Sequence, residues 1–319
     1  MPSLAEIRAK LLQQQQSNTT SSDNAIFPFW NAPEGSTSTI RFLPDSDKEN
    51  VFFWKERQMI RIPFHGVLGQ DERKPVAVQV PCVEMWGETC PIHTEIRPWF
   101  KDPKLEDEAR KYWKKRSYIF QGFVVENPLK EDNEPENPIR RFVINSSIYK
   151  IISAALMDPD FVEVPTDYEQ GTDFKLVKTQ KGQYADYTTS TWARRERSLD
   201  QLERDAIDQY GLNNLNDFMP KKPNDTELKV IMEMFESSVQ GDLYDPARFS
   251  AYYAPPGVRS DGNDTTEKNT VVNDPDPVPQ TQTKSEPEPV KETVNVAAGD
   301  NKPSANEILE MIRQRKSAS

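Results

Sequence analysis

The chain has 319 residues, with 40 Lys and Arg set against 51 Asp and Glu, a formal net charge of -11. That balance argues against a uniformly basic nucleic-acid coat, so any anionic partner must be met by segregated charge. No apolar run approaches the length of a membrane span, and the N-terminus lacks a signal-peptide hydrophobic region, so a protein that is not secreted and has no membrane partner is expected. A total of 26 prolines and a mean hydropathy of -0.78 fit a globular core carrying disordered extensions.

Residues 2–15, PSLAEIRAKLLQQQ, open with a capping box in which Ser3 and Glu6 exchange backbone bonds. Leu4, Ile7, Leu11 and Leu12 then share one helical face, with Arg8 and Lys10 off its centre. So short a helix needs a partner surface, either its own core or a neighbouring molecule. QQSNTTSSDN, which follows, reads as a flexible tether.

From Ile26 to about Trp192 the pattern is strand-like. Strands are expected at Thr37–Leu43, Val51–Ile62 (rich in aromatics), Val76–Val80, Ser117–Val125 and Arg141–Ile144. Phe174–Val177 and Tyr184–Thr189 suggest a hairpin turned at Lys181-Gly182. Helices are expected at Ile148–Leu156, Leu199–Tyr210 and Thr226–Val239, and Pro246–Val258 as irregular chain whose aromatics cover the core. Many short strands separated by turns indicate a mainly β fold with flanking helices, built as a small barrel or sandwich.

Both cysteines and both histidines of the chain fall between Phe64 and Thr94: His65, Cys82, Cys90 and His93. Thiolate and imidazole are the usual donors to tetrahedral zinc, and Cys90-Pro-Ile-His93 brackets a turn that can aim two donors at one ion. His65 would close the shell from a separate strand. Four protein ligands make one structural zinc, a folding staple with no position for water. A Cys82–Cys90 disulfide and a pair of buried thiols are the competing readings.

Basic and aromatic residues interleave in RKYWKKRSY: Arg110, Lys111, Lys114, Lys115 and Arg116 with Tyr112, Trp113 and Tyr118. A second cluster is Arg140, Arg141 and Phe142. A third joins Lys175, Lys178 and Lys181 to Tyr184 and Tyr187, and Arg194, Arg195 and Arg197 follow. Single-stranded nucleic acid asks for this mixture, because cations follow the phosphates while unstacked bases lie on aromatic faces. The competing reading makes the charges a solvated face and the rings core, and alternation alone does not say which rings face outward. No catalytic constellation is evident, so a non-enzymatic protein is expected.

Beyond Ser260 the composition becomes acidic and proline-dotted, which reads as a disordered linker over residues 259–302. Residues 303–319, KPSANEILEMIRQRKSAS from Lys302 onward, repeat the Pro-Ser…Glu-Ile start of the N-terminus and predict a second amphipathic helix, for partner or self docking.

These residues together resemble the single-stranded DNA-binding (helix-destabilising) protein family of T-even bacteriophages. The anchors are IRFLP at Ile40–Pro44, the His-Cys-Cys-Pro zinc series, KKRSY with FVV at Lys114–Val125, RRF at Arg140–Phe142, and FKLVK with YADY at Phe174–Tyr187. The resemblance implies an oligonucleotide-binding (OB-fold-like) barrel with an inserted zinc subdomain at about 64–94, inside a core of residues 21–258, with DNA in a cleft between the two. It implies Lys114, Lys115, Tyr118, Arg140, Tyr184 and Tyr187 as DNA residues. It further implies cooperative self-docking along the strand through an arm at residues 1–20, with Leu4, Ile7, Arg8, Lys10 and Leu11 as its contacts. Viral replication and recombination proteins would be recruited through the C-terminal region, in support of viral DNA replication, recombination and repair in the host cell cytoplasm. The chain departs from the family in His93, which stands where the T-even protein has cysteine. Its arm is also less basic, and the basic stretch Arg313-Gln314-Arg315-Lys316 stands where the relative ends acidic. A zinc-stapled protein-interaction scaffold without DNA binding is the rival expectation.

Overall fold

The computed structural model describes residues 24–70, 74–131 and 134–258. The N-terminal arm with Leu4, Ile7, Arg8, Lys10 and Leu11, the acidic linker and the C-terminal helix lie outside the described residues. These contain nine strands: β1 (Thr37–Leu43), β2 (Lys55–Phe64), β3 (Val76–Pro81), β4 (Lys115–Glu126), β5 (Arg140–Asn145), β6 (Gly171–Val177), β7 (Thr179–Lys181), β8 (Tyr184–Asp186) and β9 (Thr191–Arg197). The helices are α1 (Pro91–Ile96), α2 (Glu106–Lys111), α3 (Ser146–Leu156), α4 (Gln201–Tyr210), α5 (Asp225–Gln240) and α6 (Pro246–Phe249). The chain divides into two compact units.

The first unit holds residues 24–58 and 116–221. β4 pairs antiparallel with β5 over Ser117–Gly122 and with β1 over Gln121–Glu126. β1 continues to β6, and β6 to β9. Phe42 on β1 centres the core, its ring within 4.8–6.1 Å of Phe53, Phe120, Phe142, Phe174 and Trp192. The alternate residue, Arg41, points to the other face, where Leu43, Phe123, Leu199 and Ala206 of α4 form a second apolar cluster. Arg41 is fully buried and donates to Asp173 and to the carbonyls of Asp167 and Arg197. Gly122 lets β4 approach it, since a Cβ there would lie 2.1 Å from the Arg41 carbonyl oxygen.

Two expectations are corrected here. A closed barrel is not formed: the strand order leaves β5 and β9 unpaired with each other, and α3 packs against both. The 174–177 strand does not pair with 184–189. Its partners are β1 and β9, while β7 and β8 form a separate two-stranded hairpin around Gly182 at φ 67°. β9 was hidden in sequence because its arginines mask the alternation around buried Trp192.

The second unit holds residues 59–115 and 222–258, wider than the expected 64–94. β2 and β3 pair antiparallel from Met59↔Pro81 to Phe64↔Val76. Its core joins Ile60, Ile62, Val78 and Val80 to Ile92, Ile96 and Trp99. The added breadth comes from α5, whose Ile231, Met234, Phe235 and Val239 follow helical spacing and bury in this core. A capping box between Asn224 and Glu227 starts that helix, and left-handed Gly241 ends it.

Candidate metal centre and nucleic-acid interface

The metal-ligating side chains gather in the second unit. Cys82 leaves the end of β3 and is followed by a 3-10 turn (Val83–Trp86), which Gly87 closes in the left-handed region at φ 74°. Cys90 precedes α1, with Pro91 as its first residue, and His93 lies in its first turn. The three donor atoms lie within 4.8 Å of one another and all three residues are buried. Cys82 Sγ is 3.8 Å from His93 Nδ1. Tetrahedral zinc bonds of about 2.3 Å to sulfur and 2.0–2.1 Å to nitrogen need donor separations of about that size. Two thiols and an imidazole, buried and convergent, are a donor set that fits a zinc-like ion.

The local electrostatics split the two thiols: the hydrogen bond with Cys90 and burial push the Cys82 thiol well up. The Cys90 thiol is lowered to about 7, first by its hydrogen bond with Cys82 and, against burial, by the backbone N–H groups of His93 and Ile92. Burial keeps the His93 ring neutral by lowering its affinity for a proton, despite the nearby Glu84. Glu84 Oε1 is 3.0 Å from His93 Nδ1, and Lys114 Nζ is 2.6 Å from Glu84 Oε2. Burial raises the Glu84 carboxyl, but Lys114 and His93 outweigh it and hold the group at about 2. The Lys114 backbone N–H donates to His93 Nε2 at 3.2 Å, and Trp113 stacks on the ring at 4.5 Å.

His65 is not brought into this group. Ile60, Ile62 and Phe64 of β2 point into the core, so alternation turns the next side chain outward, and His65 is exposed. Strand parity leaves it outside the group formed by Cys82, Cys90 and His93.

The basic-aromatic residues divide by role. In the second unit Arg110 and Lys111 are exposed on α2 and paired with Glu106 and Glu108. Tyr112, expected as a base-stacking ring, is core: its hydroxyl is 3.0 Å from Ser238 Oγ and its ring packs edge-on against Phe235. Lys114 is committed to Glu84, and Lys115 is half-buried.

In the first unit Arg116 is exposed, with Nε 3.3 Å from Glu56 Oε1. Tyr118 is only 5 % exposed and stacks on Tyr149, centroids 3.5 Å apart and planes 8° from parallel. Arg140 is buried against Glu131 at 2.8 Å. Arg141 lies over the Phe218 ring at 3.9 Å. Lys178 Nζ donates to the carbonyls of Trp30 and Ala32, at 2.6 and 2.8 Å. Tyr187 is core, edge-on to Phe29 at 5.7 Å. Tyr112, Arg140, Lys178 and Tyr187 are thus engaged within the fold rather than offered to a partner. Lys181 and Tyr184 face each other across the β7–β8 hairpin, both exposed, Tyr184 at 53 %. Lys175, Arg194 and Arg195 are exposed on β6 and β9.

Sequence reasoning gave no site role to Phe52, Trp54 or Tyr149. Phe52 is exposed and stacks on Trp54 at 4.7 Å, and Trp54 meets Tyr149 edge-on at 5.5 Å. The FFWK run at residues 52–55 was the available signal, read there only as a strand.

The DNA-binding class is given by comparison with known families. The family described as gp32 DNA binding protein like matches residues 34–230. The chain belongs to this gp32-like DNA-binding family. A comparison with curated proteins found no match.

Proposed function

We propose that the protein binds single-stranded DNA without sequence preference, by phosphate capture and base stacking, and that it is not an enzyme. The observation that carries this reading is the gp32-like family match over residues 34–230, a span that contains the metal-ligating group, the basic-aromatic strand β4 and the β7–β8 hairpin. Exposed cations beside exposed rings, as at Lys181 with Tyr184, suit unpaired strands, whose bases are free to stack. The architecture is proposed as OB-like, with α3 standing where the closing strand pair of a barrel would be.

The metal is proposed to be one structural zinc, held by Cys82, Cys90 and His93. His65 is the proposed fourth ligand, recruited by movement of its turn, because Glu84 is already neutralised by Lys114. Zinc would supply cohesion to the second unit and no reaction. A cobalt(II)-substituted protein tests the ligand set: loss of tetrahedral thiolate bands in Cys82→Ser, and their displacement in His65→Ala, is expected. An unchanged His65→Ala spectrum removes His65 from the shell.

Cooperative binding along the strand is proposed to run through residues 1–20. Their deletion should lower cooperativity and leave intrinsic affinity nearly intact. The segment at residues 303–319, expected from sequence as a helix, is proposed to compete for the same docking groove, or to recruit viral replication and recombination proteins in the host cytoplasm. Deleting it strengthens cooperative binding under the first role and leaves it unchanged under the second.

The deciding experiment is quenching of intrinsic tryptophan and tyrosine fluorescence by poly(dT) at two salt concentrations. Strong quenching that weakens steeply with salt is expected. A folded, zinc-loaded protein that shows no quenching at low salt would be a zinc-stapled interaction scaffold. The intramolecular pairing of Lys114, Arg140 and Lys178 is the observation that favours that second reading.

A further inference from the structure

We propose that Phe52 and Tyr149 are the rings on which bases stack, and that Arg116 is the adjoining phosphate ligand, occupied by Glu56 until DNA arrives. The proposal rests on the single-stranded DNA reading and specifies its contact surface within the first unit.

Four rings form a continuous series. Phe52, 56 % exposed, stacks on Trp54 with centroids 4.7 Å apart and an interplanar angle of 29°. Buried Trp54 meets Tyr149 edge-on at 70°, and Tyr149 lies flat on buried Tyr118. Each ring open to solvent is therefore backed by a buried one, which holds its plane fixed. Tyr118, the ring expected from sequence, has its face covered by Tyr149, so the platform presents Tyr149 instead.

The loop carrying Phe52 is organised in advance. The Asn50 side-chain amide donates to Asp45 Oδ2 at 2.7 Å and to the Trp54 carbonyl at 3.2 Å. The Phe52 backbone N–H donates to Asn50 Oδ1 at 3.2 Å. A local core offers this loop shelter at Phe53, yet Phe52 and the 92 %-exposed Val51 stay in water. Leaving a Phe out of an apolar environment forgoes burial on the order of 1.5–3 kcal/mol, which marks Phe52 as available for another surface.

Charge complements the rings. Arg116 is exposed and pairs with Glu56. Lys55 lies beside Phe52 and Trp54 in sequence, 3.7 Å from Asp47, and Lys150 follows Tyr149 and is exposed. A carboxylate on a guanidinium presents the same pair of oxygen acceptors as a backbone phosphate. A strand laid along Phe52 and Tyr149 would exchange its phosphate for Glu56, so Glu56 sets a threshold against weak anions. A nucleotide polymer fits better than an apolar peptide, because these planar rings lie next to exposed cations.

The test uses the full chain, zinc-loaded, with poly(dT) at two salt concentrations and a melting curve for each variant. Phe52→Ala and Tyr149→Ala are each expected to weaken binding roughly 5- to 100-fold. Phe52→Ala should leave the melting temperature unchanged, and Phe52→Trp should restore affinity. Glu56→Gln should tighten binding a few-fold and steepen the salt dependence by about one counter-ion. If the wild type binds while Phe52→Ala and Tyr149→Ala bind equally well, the platform assignment is overturned and the DNA reading stands. If Glu56→Gln brings no gain, Arg116 is not the phosphate ligand. A wild type that fails to bind overturns both readings together.

Discussion

Lys114 Nζ lies 2.6 Å from Glu84 Oε2, while the backbone N–H of the same lysine donates to the His93 ring. One residue of the basic run that precedes β4 therefore buttresses the metal-ligating group with both its side chain and its main chain. Together these contacts orient the ring: Nε2 accepts from the Lys114 N–H while Nδ1 faces the Glu84 carboxylate.

Lys114→Met is expected to cost about 1–3 kcal/mol of stability, because it leaves the largely enclosed Glu84 carboxylate with only the exposed Arg97, 3.1 Å from Oε1, as a cation. Chemical denaturation of the zinc-loaded protein measures this. Any accompanying loss of DNA affinity should disappear when affinity is compared at equal folded fraction. A loss that persists would return Lys114 to the DNA contacts.

Metal removal should act on the second unit. Chelation, or Cys82→Ser, is expected to lower the melting temperature and to expose the core around Ile92, Trp99 and Phe235. Tryptophan emission should shift to the red. An unchanged melting curve after complete chelation would rule out a structural metal.

Gly122→Ala should destabilise the first unit by several kcal/mol, on the order of the largest core substitutions. The added methyl meets the Arg41 carbonyl at 2.1 Å, and the obstacle is backbone that cannot rotate away. Asp173→Asn should cost about 3–5 kcal/mol, since it removes the carboxylate partner of fully buried Arg41. Urea titrations of both variants give the comparison. Retained stability in Asp173→Asn would show that the carbonyls of Asp167 and Arg197 suffice for Arg41.

Tyr112→Phe and Tyr184→Ala should separate core from interface. The first loses a buried hydroxyl bond to Ser238, worth about 1 kcal/mol of stability, and leaves poly(dT) affinity intact. The second removes an exposed ring, keeps the melting temperature and weakens binding several-fold. The opposite pattern would exchange their roles.

Alkaline pH should unfold the protein earlier than its unfolded tyrosines alone suggest. Burial raises the phenol of Tyr187 to about 12 from an ordinary value of 10, and burial likewise raises Tyr112, Tyr244 and Tyr253. Above pH 10 the unfolded chain releases these protons while the folded chain keeps them. The unfolded state then binds fewer protons, so stability falls as pH rises from about 10 to 12. Tyr187→Phe should shallow that decline in a pH series of melting temperatures.

The amino-acid sequence by itself determined the strands with strong local pattern: the expected Thr37–Leu43 strand is β1 residue for residue, and α3 to α5 fall within a few residues of their expected bounds. It also determined the grouping of Cys82, Cys90 and His93, because a turn of fixed spacing brings donors together before any long-range contact forms. Which ring or cation faces outward was decided only by the tertiary structure. β4 carries seven consecutive buried residues, from Ser117 to Phe123, so both of its faces are covered and alternation cannot distinguish core from surface. The same holds for His65, left exposed by the parity of a strand end, and for Arg140 and Lys178, whose partners Glu131 and Trp30 come from other segments. Local sequence fixes a side chain's direction relative to its own backbone. What lies in that direction depends on long-range pairing, such as β6 with β9, and on packing, such as Tyr149 of α3 over Tyr118.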